Sequence, residues 1–305
     1  MLYSKNMPLS GGGMEIIMKG KLRILIAGGD MRQIYCAERL SEKFDTSVIG
    51  FDEKYLSSEL HTVDGKLDDK GEYDFAVLPV PPLDDKGYIS TPCGSVKIAP
   101  DDIKAMLSPG GTVLAGHVGD GLIKSFSGIE IIDYLEREEL SLKNAIPTAE
   151  GAVQIALDEL PVTLNGLSVL IVGMGRIGTA LAEILKGFGA EVTAAVHNEK
   201  GAAKARIAGI KSVSSDKMPA DYGLVFNTVP ELIFDRELLS RFGEKTLFID
   251  LASKPGGIDF ESAVQLGIKA IWALGLPGKT APITSGEIIA ETVISILNER
   301  RKDNV

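Results

Sequence analysis

Three glycines near the middle of the chain have the spacing needed to bind a phosphate group. Residues 173–178 read Gly-Met-Gly-Arg-Ile-Gly, after an apolar run at residues 167–172 and before a helical pattern that ends at residue 187. In such a unit the first glycine permits a tight turn, the second admits a pyrophosphate, and the third lets the helix pack on the strand. The free N–H groups at the helix N-terminus also attract anions. The predicted dinucleotide-binding residues here are Gly173, Met174, Gly175, Arg176, Ile177 and Gly178.

The end of the next predicted strand, at residues 191–196, indicates which dinucleotide is bound. Sites for NAD usually carry Asp or Glu at this point, where the carboxylate bonds the ribose 2′-hydroxyl. This chain instead has His197 and Asn198, followed by three basic residues between positions 200 and 206. Because such a basic surrounding suits a 2′-phosphate, His197 and Asn198 predict NADP as the cofactor. NAD remains possible if the neighbouring Glu199 bonds the ribose.

Composition and length exclude several classes of function. The chain has 305 residues, which suggests two domains, and its formal net charge of −10 without a basic run argues against nucleic-acid binding. Cys36 and Cys93 form no redox motif, and the three histidines lack metal-binding spacing, so we expect no metal site. No apolar run is long enough to cross a bilayer, and residues 1–20 lack the pattern of a secretory signal. We therefore expect a cytoplasmic protein that does not contact membranes.

Short apolar runs alternate with helical patterns along the chain, which predicts an α/β protein. We expect two doubly wound parallel-sheet domains with a cleft between them, the second being a Rossmann dinucleotide-binding domain. A helical run that begins at Pro147 connects the domains, and a final helix at residues 287–301 crosses back onto the first. The predicted divisions are an N-terminal extension at residues 1–20, a substrate-side domain at residues 21–146 plus 285–305, and the Rossmann domain at residues 147–284.

Five short motifs together resemble the family formed by the A subunits of dipicolinate synthase from spore-forming bacteria. They are Gly-Gly-Asp-Met-Arg-Gln at residues 28–33, Leu-Pro-Val-Pro at 78–81, the glycine segment at 173–178, Asp-Leu-Ala-Ser at 250–253 and Ala-Leu-Gly-Leu-Pro-Gly-Lys at 273–279. The resemblance extends from residue 21 to the C-terminal helix. It implies NADP-linked oxidation of dihydrodipicolinate to dipicolinate in the mother cell during sporulation. It also implies that a flavoprotein-like B subunit is the partner, and we expect a homo-oligomer.

The chain is similar, more widely, to D-2-hydroxyacid dehydrogenases, which have the same two-domain plan. Their nicotinamide-side loop corresponds to residues 228–230, which implies that Thr228 and Pro230 contact the cofactor. Those enzymes use an Arg, a Glu and a His to act on a 2-hydroxy group. Here Ser253 and Lys254 stand in the loop expected to carry the Arg, and the late loop has no His. A D-2-hydroxyacid-dehydrogenase-like oxidoreductase is therefore the weaker alternative.

Oxidation of a dihydropyridine dicarboxylate requires precise binding more than strong acid–base chemistry, because its product is aromatic. The two carboxylates need cationic and hydrogen-bonding anchors, and loops at the carboxyl ends of parallel strands bring such side chains to one edge. His117 is either the proton acceptor or an ordinary loop histidine. The candidate catalytic residues are His117, Ser253, Lys254 and Lys279, and the candidate substrate-binding residues are Arg32, Ser90, Thr91 and Thr280. A different class of function also remains open, namely a cofactor-binding protein that regulates or scaffolds a partner.

Overall fold

Apolar runs along the chain form two six-stranded sheets, and the strand pairs within them are parallel. The computed structural model describes residues 21–63 and 71–303, so the predicted N-terminal extension lies outside the described residues. The first sheet contains β1 (Arg23–Ala27), β2 (Asp45–Ile49), β3 (His61–Thr62), β4 (Tyr73–Val77), β5 (Leu107–Ala115) and β6 (Glu130–Asp133). The second contains β7 (Ser168–Val172), β8 (Glu191–Val196), β9 (Lys211–Ser214), β10 (Leu224–Asn227), β11 (Leu247–Asp250) and β12 (Lys269–Trp272).

The two sheets have the same strand order. The order is β3-β2-β1-β4-β5-β6 in the first sheet and β9-β8-β7-β10-β11-β12 in the second. In this arrangement the first three strands progress toward one edge of the sheet and the next three toward the other edge. A crevice opens at the carboxyl ends of the two adjacent strands from which these progressions start. These strands are β1 and β4 in the first sheet and β7 and β10 in the second. The predicted α/β fold with two doubly wound parallel sheets is therefore confirmed.

Helices cover the sheets on both faces. They are α1 (Met31–Ser41), α2 (Pro100–Met106), α3 (Asp120–Ser125), α4 (Glu138–Glu159), α5 (Arg176–Gly187), α6 (Glu199–Ile207), α7 (Arg236–Leu239), α8 (Phe260–Gln265), α9 (Leu276–Thr280) and α10 (Pro282–Asp303). Successive residues of a strand point to opposite faces. In β7, accordingly, Val169 and Ile171 belong to one buried apolar cluster, while Leu170 and Val172 belong to another.

Two long helices join the domains. In α4, Leu140 is buried in the core of the first domain, whereas Ala149 and Ala156 are buried in the core of the second. The C-terminal helix α10 returns to the first domain, where Ile289 and Val293 lie in the same apolar cluster as residues of α1. The division between the domains therefore falls within a continuous helix rather than in a flexible linker.

Some element boundaries differ from those that the sequence predicts. α4 begins at Glu138 and not at Pro147, which lies inside the helix. A proline usually marks the first turn because it has no N–H to donate. Pro147 instead lies nine residues after the start of α4, where it removes one intrahelical hydrogen bond without ending the helix. Similarly, α10 begins at Pro282, ahead of the predicted start at residue 287, and the predicted late loop at residues 273–280 contains α9.

Candidate functional site

The predicted dinucleotide turn, residues 173–178, follows β7 and leads into α5. Gly173 has φ 93°, and a Cβ at this position would lie 2.6 Å from Thr228 Oγ1. A Cβ at Gly178 would collide with the Gly173 carbonyl oxygen, so this glycine lets α5 pack closely on β7. Gly175 is different, because a Cβ there would meet no other atom within 4 Å. Gly173 and Gly178 thus allow close packing within the fold, whereas Gly175 leaves space open beside the turn.

The N-terminus of α5 presents backbone donors to this space. Its N-cap residue is Gly175, which has no side chain to accept a hydrogen bond from the first turn. The N–H groups of an uncapped first turn, together with the positive end of the helix dipole, form an anion-binding arrangement. The turn therefore has the geometry needed to hold a pyrophosphate.

The turn forms one side of a crevice of about 260 Å³. Predicted cofactor residues from three separate loops line this crevice, namely Gly173, Met174, Gly175, His197, Asn198, Thr228 and Pro230. Asn198 Oδ1 caps α6 by accepting from the backbone N–H of Gly201 at 2.8 Å, and its Nδ2 lies 2.9 Å from His197 Nε2. Lys200 and Lys204 also line the crevice, whereas Glu199, the alternative partner for an NAD ribose, is not among its lining residues.

The side chains of Arg176 and Ile177, which also belong to the predicted dinucleotide turn, point away from the crevice. The Arg176 guanidinium bonds Glu138 on α4 at 2.9 Å, with both side chains largely exposed. Ile177 packs against the apolar core of the second domain. The side chains of Arg176 and Ile177 therefore contact α4 and the core of the domain, and neither residue is among those that line the crevice.

The corresponding crevice of the first domain is closed by its own chain, despite the same strand order. Asp30 caps α1 by accepting from the backbone N–H of Arg32 at 3.0 Å, which places a carboxylate where a phosphate would otherwise bind. The carbonyl of Ser90 accepts from the Gly29 N–H at 2.8 Å, and a Cβ at Gly28 would lie 2.5 Å from the same oxygen. Only the second domain therefore presents an open dinucleotide crevice within residues 21–63 and 71–303.

Arg32, a predicted substrate anchor, lies where the two domains meet. Its Nε and Nη2 bond the carboxylate of Asp30, each at 2.9 Å, and Nη2 also donates to the Val80 carbonyl at 3.2 Å. The guanidinium packs against Gly278 of the second domain, where a Cβ would lie 2.8 Å from Nε. A substrate carboxylate would therefore have to use Nη1 or displace Asp30.

The other candidates in the first domain are held by backbone contacts. The backbone N–H of His117 donates to Asp133 at 3.2 Å, and the His117 side chain is exposed. The Thr91 hydroxyl donates to the Val96 carbonyl at 3.1 Å, so in this arrangement it has no second proton to donate to a substrate. Ser90 contacts the turn at Gly28 and Gly29 through its carbonyl.

Three of the four candidates in the second domain are exposed at the carboxyl edge of the sheet. Ser253 and Lys254 lie in the loop after β11, and Lys279 lies on α9. Thr280 is the exception, because a Cβ at Gly151 of α4 would collide with its Oγ1. The Thr280 hydroxyl thus lies in the contact between α9 and α4, which corrects its predicted position on an open loop.

No functional role is predicted from the sequence for Asp250 or Asn227. The two residues are register partners at the carboxyl ends of β11 and β10, and both are fully buried. Asn227 Nδ2 donates to Asp250 Oδ1 at 2.8 Å. Alignment of the ends of the two predicted strands would have placed these polar residues side by side.

Two families match separate parts of the chain. Residues 23–135 match the family described as the N-terminal domain of the dipicolinate synthase A subunit. Residues 147–256 match the D-isomer specific 2-hydroxyacid dehydrogenase NAD binding domain, so the second domain is a dehydrogenase-like domain of the kind that binds a nicotinamide dinucleotide. No helix among the described residues has the length and apolar composition needed to cross a bilayer.

Individual relatives extend the similarity to nearly the whole chain. The dipicolinate synthase A subunit of Bacillus subtilis (strain 168) is 29% identical over 287 residues, which are 91% of this chain and 96% of that protein. Its crystal structure matches with a TM-score of 0.84, covering 94% of this chain and 99% of that one. The crystal structure of the A subunit from Bacillus halodurans, which is 28% identical, also matches with a TM-score of 0.84. This match covers 91% of this chain and 98% of that one. A Sinorhizobium meliloti transhydrogenase shares the fold alone. It is 14% identical and matches with a TM-score of 0.67 over 91% of this chain and 94% of that one. The chain therefore resembles the A subunit of dipicolinate synthase across both domains, and D-2-hydroxyacid dehydrogenases across its dinucleotide-binding domain.

Proposed function

We propose that this chain is the component of a dipicolinate synthase that catalyses NADP-linked oxidation of dihydrodipicolinate to dipicolinate. The observation that carries the proposal is the open and uncapped turn at Gly175. The chain is also similar over most of its length to the A subunit of dipicolinate synthase from Bacillus subtilis. A turn of this kind binds the pyrophosphate of a dinucleotide. The dinucleotide domain supports an oxidoreductase, and the relatives suggest its substrate.

NADP is proposed over NAD because of the charges around the far end of the crevice. Lys200 and Lys204 line it beside His197 and Asn198, and no carboxylate is among the lining residues. A ribose 2′-phosphate carries about two negative charges, which neighbouring ammonium groups stabilise. A ribose hydroxyl would gain little from these lysines. The absence of an acid among the lining residues therefore favours the phosphorylated cofactor.

The protein's main task in this reaction is to hold a planar dicarboxylate against the nicotinamide, which when bound supplies the acceptor for a hydride. Lys254 and Lys279 are the proposed anchors for the carboxylates, because both ammonium groups are exposed at the carboxyl edge of the second sheet. Ser253 can add a hydrogen bond from the same loop. Arg32 and the segment with Ser90 and Thr91 would face the substrate from the first domain.

Oxidation also releases a proton from the ring of the substrate. His117 is the proposed acceptor, since its imidazole is exposed at the carboxyl end of β5 and its backbone is fixed by Asp133. A histidine can take up a proton near neutral pH. Water can take the same proton, because aromatisation drives the reaction, so a loss of His117 should slow turnover without abolishing it.

The relatives are named as one subunit of a synthase, which suggests that this chain works with a partner. We propose a flavoprotein-like B subunit for that partner, and a homo-oligomer as the state of this chain. A cofactor-binding protein without turnover of its own is the alternative. A D-2-hydroxyacid dehydrogenase is a weaker one, because Ser253 and Lys254 occupy the loop that carries the catalytic Arg in those enzymes.

The test is a hydride-transfer assay with the purified full-length chain. Dihydrodipicolinate and NADP⁺ are mixed with the chain alone and then with its partner, and the absorbance band of the reduced nicotinamide is followed. The proposal expects a rise in that band with the chain alone. A rise only in the presence of the partner would show that the chain has no turnover of its own, as the cofactor-binding alternative requires. A rise with 2-hydroxy acids but not with dihydrodipicolinate would identify a hydroxyacid dehydrogenase.

A further inference from the structure

A fully buried carboxylate links two loops at the edge of the second sheet. Asp250 Oδ1 accepts from Asn227 Nδ2 at 2.8 Å and from the backbone N–H of Ala252 at 3.0 Å. Its Oδ2 accepts from the backbone N–H of Gly257 at 2.7 Å. Both ends of the loop at residues 251–257, which carries Ser253 and Lys254, are therefore bonded to the same side chain.

The second loop, which follows β10, is held by Asn227. Its Nδ2 also donates to the Val229 carbonyl at 2.9 Å, and its Oδ1 accepts from the Val229 N–H at 3.2 Å. This loop contains Thr228 and Pro230, which line the dinucleotide crevice. The bond between Asn227 and Asp250 thus connects the wall of the crevice to the loop of the proposed substrate anchors.

Close packing reinforces this connection. A Cβ at Gly257 would lie 2.8 Å from the Val229 carbonyl oxygen, so the two loops touch at this point. Trp272 Nε1 donates to the Ala252 carbonyl at 3.0 Å, and its ring stacks on Phe260 with a centroid separation of 5.7 Å. The start of the substrate loop is therefore also bonded to the end of β12.

A buried carboxylate is costly unless its lone pairs are satisfied, and three amide donors satisfy them here. We propose that Asp250 is a positioning residue, whose carboxylate fixes the separation between the dinucleotide crevice and the loop of Ser253 and Lys254. Its link to turnover rests on the proposed function, in which that loop binds substrate. The coupling of the two loops does not depend on it.

The substitution Asp250→Asn tests the proposal with little change in shape. A carboxamide offers one oxygen, so its NH2 group would face an N–H donor and at least one of the three bonds would be lost. Trp272 is the sole tryptophan of the chain, and it bonds the same loop, so its fluorescence reports the loop directly. We expect a shifted emission and greater quenching by acrylamide. We also expect a fall in kcat/KM for dihydrodipicolinate of about ten- to a hundredfold, with the Kd for NADP changed by less than about threefold.

Thr246→Val is the matched control, because it removes a buried hydrogen bond of 2.8 Å to the Tyr222 carbonyl at the opposite end of the same strand. It should lower the thermal midpoint without changing Trp272 emission or substrate kinetics. Trp272→Phe removes the bond to Ala252 while keeping an aromatic ring beside Phe260, and it should reduce kcat/KM in the same direction, which keeps the test valid if Asp250→Asn does not fold.

Three outcomes would overturn the positioning role. They are a folded Asp250→Asn protein with parental emission and kinetics, a control with the same kinetic defect, and an unfolded Asp250→Asn protein together with parental kinetics in Trp272→Phe. If the parent chain does not oxidise dihydrodipicolinate, the proposed function fails. The fluorescence measurements then still decide whether Asp250 couples the loops.

Discussion

Replacing Gly175 by valine separates ligand binding from folding. Gly175 has φ −79° and ψ −160°, an extended conformation that valine adopts readily. A Cβ there would meet no other atom within 4 Å, so the side chain would enter only the space of the crevice. The variant should therefore fold like the parent but exclude a pyrophosphate from the N-terminus of α5.

The expected loss of affinity follows from the bonds that the pyrophosphate could no longer make. Each backbone N–H bonded to a charged phosphate oxygen contributes about 1.5–3 kcal/mol. Losing two such bonds would weaken dinucleotide binding by about 3–6 kcal/mol, or roughly a hundred- to ten-thousandfold in Kd. The effect should be the same for NADP and NAD, because the two share the pyrophosphate.

The assay combines a thermal melt with a titration of dinucleotide binding. Gly187→Ala is the control, because it adds a Cβ into open space at the other end of α5, and it should leave Kd unchanged. Gly178→Ala should show the opposite behaviour to Gly175→Val, since its Cβ meets the Gly173 carbonyl oxygen and overpacking costs about 1–3 kcal/mol of stability. A folded Gly175→Val protein that binds dinucleotide as tightly as the parent would refute the assignment of this turn as the phosphate site.

Three further predictions concern cofactor choice, substrate binding and stability. His197→Asp should shift the preference from NADP toward NAD by about tenfold or more, measured as the ratio of the two Kd values, because a carboxylate repels the 2′-phosphate and can bond the ribose. Lys254→Ala and Lys279→Ala should each raise the KM for dihydrodipicolinate about ten- to a hundredfold with little change in NADP affinity, and equal inhibition of parent and variants by dipicolinate would exclude both as anchors. The hydrogen bonds from Arg300 lower the pKa of the Glu130 carboxyl below its ordinary value of 4.5, so this pair stabilises the fold above that pH and ceases to do so as the pH falls through the lowered pKa. Glu130→Gln should thus cost about 0.5–1 kcal/mol at pH 7, with a difference in denaturant midpoint that disappears in acid; a difference that persists below about pH 3 would contradict the ionic origin.

The sequence predicts the buried central strands but misses one edge strand of each sheet, for a physical reason. β1 and β7 are buried on both faces, so they are continuous apolar runs that are visible in the sequence. The edge strands β3 and β9 were not predicted. His61 and Thr62 are exposed, and Lys-Ser-Val-Ser at residues 211–214 resembles a polar loop. Edge strands take their conformation from the neighbouring strand rather than from their own hydrophobicity.

In the candidate site, likewise, features set by adjacent residues can be predicted from the sequence, whereas features set by residues distant in sequence cannot. The glycine turn is predictable because the backbone groups proposed to hold the phosphates come from one short segment. The direction of a side chain is not, because it depends on residues that are far away in sequence. Thr280 packs on α4 because Gly151 leaves room for it, and Arg32 is held by Asp30 and Val80. Neither partner can be identified from the spacing of the predicted anchors.

The return of α10 to the first domain has a consequence for how the protein is made. The core around β1 includes Ile289 and Val293, and also Ile296 and Leu297 from the last turns of α10. Burial of each aliphatic side chain of this kind contributes about 1.5–3 kcal/mol, which is a large share of the net stability of a domain. A ribosome that has released only the segment up to the end of α4 has therefore delivered a sheet with one face partly uncovered. The N-terminal domain, although synthesised first, completes its core only after the whole dinucleotide domain has been translated.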